Sequence, residues 1–277
     1  MNFDPKQYWE ARLKRKCNFE GVGCEGRSEA WNAFLYKSKI RTMNRGLDRL
    51  SLNLRGYKAL DIGTGVGFWV EYLLGKNVNS ITGIDITLSS IAFCNKKYLN
   101  LKNLNFVCGD ISDDVFVFEN LSKGYDLATA FDVLYHITDD EKFDATIKNI
   151  AHALNPDGYL FLTDILSSSG DGISHQQHVR WRSLSYYKHE LACNGLDIIY
   201  LAPMYCFLGS PIDSSGVFSK ILNIVYYGLT SKTKTFPVIE RAYITTLYNF
   251  DSFLTLFSKF GVSTKLLVAK KRDLSYV

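Results

Sequence analysis

From residue 57 onward, short apolar runs alternate with stretches of helical spacing. The runs are YKALDIG, SITGIDI, LNFVCGD, YDLATAFDVL and GYLFLTDIL. Each suits burial on both faces, as a strand inside a parallel sheet requires. Between them the spacing predicts helices over 66–75, 88–100, 112–121 and 140–154. The last of these runs into NPDG (Asn155–Gly158), a stop and turn signal. Repeated β-α units of this length impose right-handed crossovers. Two later runs, LDIIYLAPMYC and STKLLVAKK, bring the strands to seven. The chain is therefore expected to be α/β, with a doubly wound, mostly parallel, seven-stranded sheet.

Two segments fall outside that rhythm. Residues 1–50 are helical and aromatic, with Tyr8, Trp9, Trp31, Phe34 and Tyr36. Residues 207–261 separate the last two strand runs and are too long for a hairpin loop. They are read as a helical cap inserted before the final strand. Its aromatics (Phe207, Phe218, Tyr226, Tyr227, Phe236, Tyr243 and Tyr248) either line an apolar pocket or form core between helices. One domain over 1–277 is expected: helices over 1–50, a core over 51–206 and 262–272, and the cap.

Charge and cysteine usage exclude several classes. The net charge is only +4 and no Lys/Arg tract occurs, which argues against a nucleic-acid partner. None of the six cysteines forms a C-x-x-C pair, so zinc and dithiol chemistry are not expected, and no metal site is. They suit a reducing compartment. The N-terminal MNFDPKQYWEARLKRK is mixed in charge and lacks an apolar core. ILNIVYYGL (Ile221–Leu229) is too short to span a bilayer. A cytoplasmic protein without stable membrane insertion is expected.

The stretch ALDIGTGVGFW (Ala59–Trp69) runs a buried strand through Gly63, Gly65 and Gly67 into a helix. Such a loop at a helix N-terminus cradles a nucleotide-type ligand. A dinucleotide loop is spaced G-x-G-x-x-G, whereas this one is G-x-G-x-G, with Asp61 two residues upstream. Nicotinamide chemistry is disfavoured further because the Y-x-x-x-K pair, Tyr98 and Lys102, precedes the third strand.

The pattern D-x-G-x-G-x-G, followed in order by GIDI, CGDI, YDLATAFDVLYHI and LNPDGYLFLTD, resembles class I S-adenosylmethionine-dependent methyltransferases over roughly residues 57–206. The resemblance implies a Rossmann-like fold and S-adenosylmethionine as cofactor, with S-adenosylhomocysteine as product. It implies a cofactor site of Asp61, Gly63, Thr64, Gly65, Asp85, Ile86, Asp110, Ile111 and Phe131. Asp85 would take the ribose hydroxyls and Asp110 the adenine amino group. That cofactor has no phosphates, and no Lys or Arg stands between Ala59 and Trp69. Loop N–H groups would meet its carboxylate, and Asp61 would favour its ammonium. Each acid also has a purely local reading. Asp61 would cap its own turn, Asp85 would be a solvated strand end, and Asp110 would be the N-cap of a helix beginning near Ser112.

Methyl transfer is an in-line displacement, and positioning supplies most of its catalysis. A base is needed only where the acceptor loses a proton, as a hydroxyl does. DVLYHI places Tyr135, an expected acceptor contact, and His136 just after the fourth strand. His136 is the candidate base, the alternative being packing at the next helix. SHQQHVRWRS, residues 174–183, offers His178 and Arg180 as acceptor contacts, with His175 and Arg182 beside them, or else is a solvated loop. HVRWRS, APMYCFLGSPID, GVSTKLLVAKK, YWEARLKRKCNFEGVGCEG and WNAFLYKSKIR are similar to a small-molecule subgroup associated with bacterial polysaccharide or natural-product pathways. The subgroup implies a small-molecule acceptor, expected to be a hydroxyl of a sugar or specialised metabolite. Nitrogen or carbon acceptors, or a non-catalytic binding protein, are the alternatives.

Overall fold

In the computed structural model, the apolar runs pair into a seven-stranded sheet. The structure describes residues 3–24, 27–121, 123–167, 170, 172–173, 178–206, 237–257 and 263–273. In chain order the strands are β1 (Lys58–Ile62), β2 (Ser80–Asp85), β3 (Leu104–Cys108), β4 (Tyr125–Phe131), β5 (Leu154–Asp164), the two-residue β6 (Gly172–Ile173) and β7 (Arg180–Trp181), β8 (Leu196–Pro203) and β9 (Lys265–Lys271). The large sheet runs β3-β2-β1-β4-β5-β9-β8, and β6 pairs only with β7. Strands β1 to β5 are mutually parallel. β9 lies antiparallel between β5 and β8. The sheet is thus the doubly wound, mostly parallel one expected. Strand order reverses between β1 and β4, and such a reversal opens a crevice at the carboxyl ends of the strands.

The helices are α1 (Pro5–Arg15), α2 (Phe19–Val22), α3 (Glu29–Arg49), α4 (Phe68–Gly75), α5 (Leu88–Lys97), α6 (Asp114–Asn120), α7 (Asp140–Ala153), α8 (Leu184–Cys193) and α9 (Pro237–Phe257). Side-chain caps fix several starts. Thr87 accepts from Ser90 N–H, Asp139 from Lys142 N–H, and Ser183 from Tyr186 N–H. Asp113, not Asp110, caps α6, accepting from the N–H groups of Val115 and Phe116. The capping reading of Asp110 is thereby corrected.

NPDG behaves differently from a free turn. β5 begins at Leu154, directly after α7, and its pairing with β4 slips from Tyr125↔Leu154 to Leu127↔Tyr159. Asp157 takes φ 62° inside the slip. The motif is a bulge, pinned where Asn155 Nδ2 donates to Asp126 Oδ1 at 2.8 Å. Asp126 Oδ2 meanwhile accepts from Lys58 N–H at 2.8 Å, which ties β1 to the same point.

Alternation along the strands divides the core in two. Leu60, Leu160, Leu162 and Leu267 pack with Phe143 and Ile147 of α7 and Tyr187 and Leu191 of α8. Ala59, Phe161, Leu266 and Val268 pack with Trp31, Met43 and Leu47 of α3 and Trp69 and Leu73 of α4. Helix α9 docks on α3: Arg45 donates to Thr255 Oγ1 at 3.0 Å and to the Ser252 carbonyl at 3.1 Å. Of the aromatics expected in a cap, Tyr243 and Tyr248 pack on this second core. The other five, like residues 207–236 generally, lie outside the described residues. Among the described residues no helix is long and apolar enough to cross a membrane.

Candidate functional site

The carboxyl ends of β1 to β4 open into a cleft, about 1050 Å³ of free space when its open mouth is included. Gly63, Thr64 and Gly65 line it after β1, Asp85 and Ile86 after β2, Asp110 and Ile111 after β3, and Phe131 and Asp132 after β4. Helix α1 walls it from above with Pro5, Trp9 and Leu13. That helix is fastened where Ser89 Oγ donates to Glu10 Oε1 at 2.7 Å and Arg12 Nη2 donates to the Gly23 carbonyl at 2.7 Å.

The glycine loop is folded onto its neighbours. The N–H groups of Gly63 and Thr64 donate to the Ile84 carbonyl at 2.8 and 3.1 Å. Gly65 N–H donates to Asp85 Oδ2 at 2.9 Å. Gly63 has φ 68°, and a Cβ there would overlap the Val133 side chain, so only glycine fits. These N–H groups are already bonded within the protein. The loop's anion-binding capacity therefore falls to the first turn of α4, at the positive end of that helix.

Asp85 is the anchor of this arrangement. Its Oδ1 accepts from Thr87 N–H at 2.9 Å and Thr87 Oγ1 at 2.7 Å. A carboxylate has about four acceptor positions, and with Gly65 these bonds use three of them. Burial raises the Asp85 carboxyl, against the bonds from Thr87 and Gly65. Asp110 Oδ1 accepts from Ser112 N–H and Oγ at 2.9 and 2.7 Å, and Lys142 Nζ stands 3.3 Å from Oδ2. Burial would raise this carboxyl, but those bonds and the Lys142 charge hold it below the usual carboxylate range. Asp61 differs from expectation, since it does not wall the cleft. It lies beneath the loop, 1% exposed, and accepts from Thr129 Oγ1 at 2.6 Å, bracing β1 against β4. Burial pushes its carboxyl up to about 6, against the Thr129 and Thr64 hydroxyls.

His136 lines the cleft at the end of a short 3₁₀ turn, Leu134–His136. Its Nδ1 lies 2.8 Å from the His178 carbonyl. A carbonyl only accepts, so Nδ1 carries the proton and Nε2 keeps a lone pair. Trp9 packs edge-on at 4.7 Å and the His178 ring stacks at 5.5 Å. Burial lowers the imidazole to about 4, only partly offset by the His178 carbonyl.

The other expected acceptor residues stand elsewhere. His178 stacks on Tyr8 at 4.6 Å and acts on the cleft through His136. Arg180 does not wall the cleft, because its guanidinium pairs with Asp140. Arg182 pairs with the same carboxylate at 2.8 Å and lies 3.9 Å from the centre of the Phe143 ring. Both arginines fasten β7 to α7. Tyr135 is not on the cleft wall either; burial, then the charge of Asp132, holds its phenol well above the usual range. His175 lies outside the described residues.

Asp132, Tyr36 and Trp9, to which the motifs assign no site role, also wall the cleft. Asp132 had a legible signal as the acid that directly follows β4, at the carboxyl end of the sheet. It takes φ 59°, unusual for a non-glycine residue. Lys39 of α3 forms a salt bridge with it. The wall thus carries Asp85, Asp110, Asp132 and His136 among the described residues, with no Lys or Arg. That donor set fits a ligand with cationic groups, hydroxyls and an apolar ring system, and does not fit a phosphate. Among the described residues no group of three or more His, Cys, Asp or Glu could hold a metal ion.

Comparison with known proteins agrees with this geometry. The ubiquinone biosynthesis O-methyltransferase of Neisseria meningitidis serogroup C (strain 053442) is 25% identical over 115 residues, covering 41% of this chain and 46% of that protein. The tRNA U34 carboxymethyltransferase of Campylobacter concisus (strain 13826) is 31% identical over 125 residues, 43% of this chain and 40% of that one. The match spans less than half the length of either relative. Among solved structures, the [4+2]-cyclase SpnF superposes with a TM-score of 0.60 at 15% identity, covering 96% of this chain and 94% of that one. The N-methyltransferase NodS of Bradyrhizobium japonicum WM9, in complex with S-adenosylhomocysteine, does so with 0.59 at 13% identity, covering 98% and 100%. At these identities the structures establish the fold. Residues 35–201 match the family described as "Methyltransferase domain", and the chain belongs to that family.

Proposed function

We propose that the protein transfers a methyl group from S-adenosylmethionine to a small-molecule acceptor, at a hydroxyl of a sugar or specialised metabolite. The observation that carries this reading is the cleft wall, with three aspartates and a neutral histidine and no Lys or Arg among the described residues. When bound, the cofactor supplies a methyl group on an electrophilic sulfonium. Asp85 offers its remaining acceptor position to the ribose, and Asp110 accepts from the adenine amino group. Ile86 and Ile111 give the purine apolar surface. Gly63, Thr64 and Gly65 let the rest of the cofactor approach the backbone, and Phe131 closes the β4 side. Trp9 and Leu13 of α1 exclude water. His136 takes the hydroxyl proton at Nε2, and its Nδ1–H bond to the His178 carbonyl fixes the tautomer. The six free thiols suit a reducing cytoplasm.

His136→Ala should lower the rate at least about 10²-fold with S-adenosylhomocysteine affinity nearly unchanged. Only the neutral imidazole can accept a proton, and burial puts its titration at about 4. The wild-type rate should therefore stay level as pH falls to about 6 and decline only toward 4. A decline centred on the ordinary imidazole value would contradict the assignment. The function itself is tested with methyl-labelled S-adenosylmethionine and a panel of sugars, phenols and amines. Label on a hydroxyl is expected. Cofactor binding with no labelled product from any acceptor would favour a binding protein.

A further inference from the structure

We infer that Asp132, held by Lys39 and Thr163, is the group that receives the acceptor at the methyl-transfer end of the cleft, and that it selects acceptors whose reacting group donates a hydrogen bond. This rests on the cofactor reading above. The cleft floor crosses the strand ends in the order β3, β2, β1, β4. Asp110 and Asp85 mark the adenosine half at β3 and β2. The rest of the cofactor then extends toward β1 and β4, where Asp132 and Tyr36 form the wall.

Asp132 is built to be held still. Its N–H donates to Thr163 Oγ1 at 2.9 Å, and the hydroxyl donates back to Oδ1 at 3.0 Å. Lys39 Nζ bonds Oδ2. These contacts hold the residue at its positive φ, a conformation that costs energy for any residue with a Cβ, though less for aspartate than for most. The ion pair is asymmetric. The Lys39 side chain is 8% exposed and that of Asp132 25%. The carboxylate, not the ammonium, lines the cleft, and the lysine stands behind it. Burial disfavours the Lys39 ammonium, but the adjacent Asp132 charge more than offsets this and holds its pKa above the ordinary value.

Fastening α3 does not require such a pair. That helix already buries Trp31, Leu35, Met43 and Leu47. A buried ion pair adds little net stability over an apolar pair of the same size. What Lys39 and Thr163 provide is a carboxylate of fixed position and charge, with its remaining acceptor capacity toward the cleft. A hydroxyl or ammonium donates to such a group, whereas a phosphate or carboxylate acceptor is repelled by it. The same wall that suits the cofactor therefore excludes anionic acceptors at the transfer end.

The test uses two probes that differ where the methyl group would be. S-adenosylhomocysteine has an uncharged thioether there, and sinefungin has an ammonium that donates hydrogen bonds. Wild-type protein should bind sinefungin about ten-fold or more tightly than S-adenosylhomocysteine by calorimetry. Asp132→Asn should reduce that preference to about two-fold or less, and Asp132→Glu should restore part of it. Equal binding of the two probes to wild-type protein overturns the inference, whether or not the variants fold. So does a preference that Asp132→Asn leaves intact, or an equal loss of both affinities. Binding of S-adenosylhomocysteine without the preference leaves the cofactor reading standing. Binding of neither probe overturns both.

Discussion

Replacing Lys39 with methionine should destabilise the protein by about 3 kcal/mol, toward the lower end of what breaking a buried ion pair costs. The lysine is 7% exposed, and its salt bridge to Asp132 joins α3 to the end of β4 across 93 residues of chain. Methionine fills the volume but leaves the Asp132 carboxylate facing Tyr36 and Tyr205 without its cation, in a site where only part of it reaches water. Partial exposure of the carboxylate is why the lower figure is expected. Lys39→Met with Asp132→Asn removes both charges and should recover most of the loss, which a double-mutant cycle resolves. Urea denaturation reads all three variants, provided the slope is unchanged. A loss under about 1 kcal/mol for Lys39→Met would mean that the pair is solvated.

Asp85→Ala should weaken S-adenosylhomocysteine binding by about 2–4 kcal/mol, or roughly 30- to 1000-fold. The substitution removes more than a ligand contact. It strands the N–H groups of Gly65 and Thr87 and takes one partner from the Thr87 hydroxyl, all of which the carboxylate holds in place. The glycine loop then loses its register against β2. Asp85→Asn should be nearly as damaging, because whichever way its amide turns, an NH₂ faces a donor. Titration calorimetry measures both variants. An affinity within about three-fold of wild type would put the adenosine elsewhere.

The alternation of apolar runs with helical spacing carried the sheet, because burial on both faces leaves parallel strands little freedom of composition. Boundaries were read less well where backbone geometry decides them. The helix expected from 66 starts at Phe68, since Gly67 keeps φ 75°. NPDG spells a turn, yet it is accommodated as a bulge because Asn155 finds Asp126 on the neighbouring strand. Within the site, eight of the nine expected cofactor residues wall the cleft. Asp61 does not, since the motif fixes its position in sequence but not the direction of a side chain drawn to Thr129. Arg180 and Arg182 read as free cations in SHQQHVRWRS because Asp140, their partner, is about forty residues upstream. The Lys39 partner, Asp132, is likewise 93 residues away in the chain. Pairing across such separations leaves no local pattern.

The proposed activity turns on the cleft holding S-adenosylmethionine. Titration of the purified protein with S-adenosylmethionine, S-adenosylhomocysteine and NAD tests it most directly. One site per chain is expected for the first two, with a dissociation constant in the micromolar range, about −7 to −9 kcal/mol, and no heat with NAD. No heat and no thermal shift with millimolar S-adenosylmethionine or S-adenosylhomocysteine would contradict it.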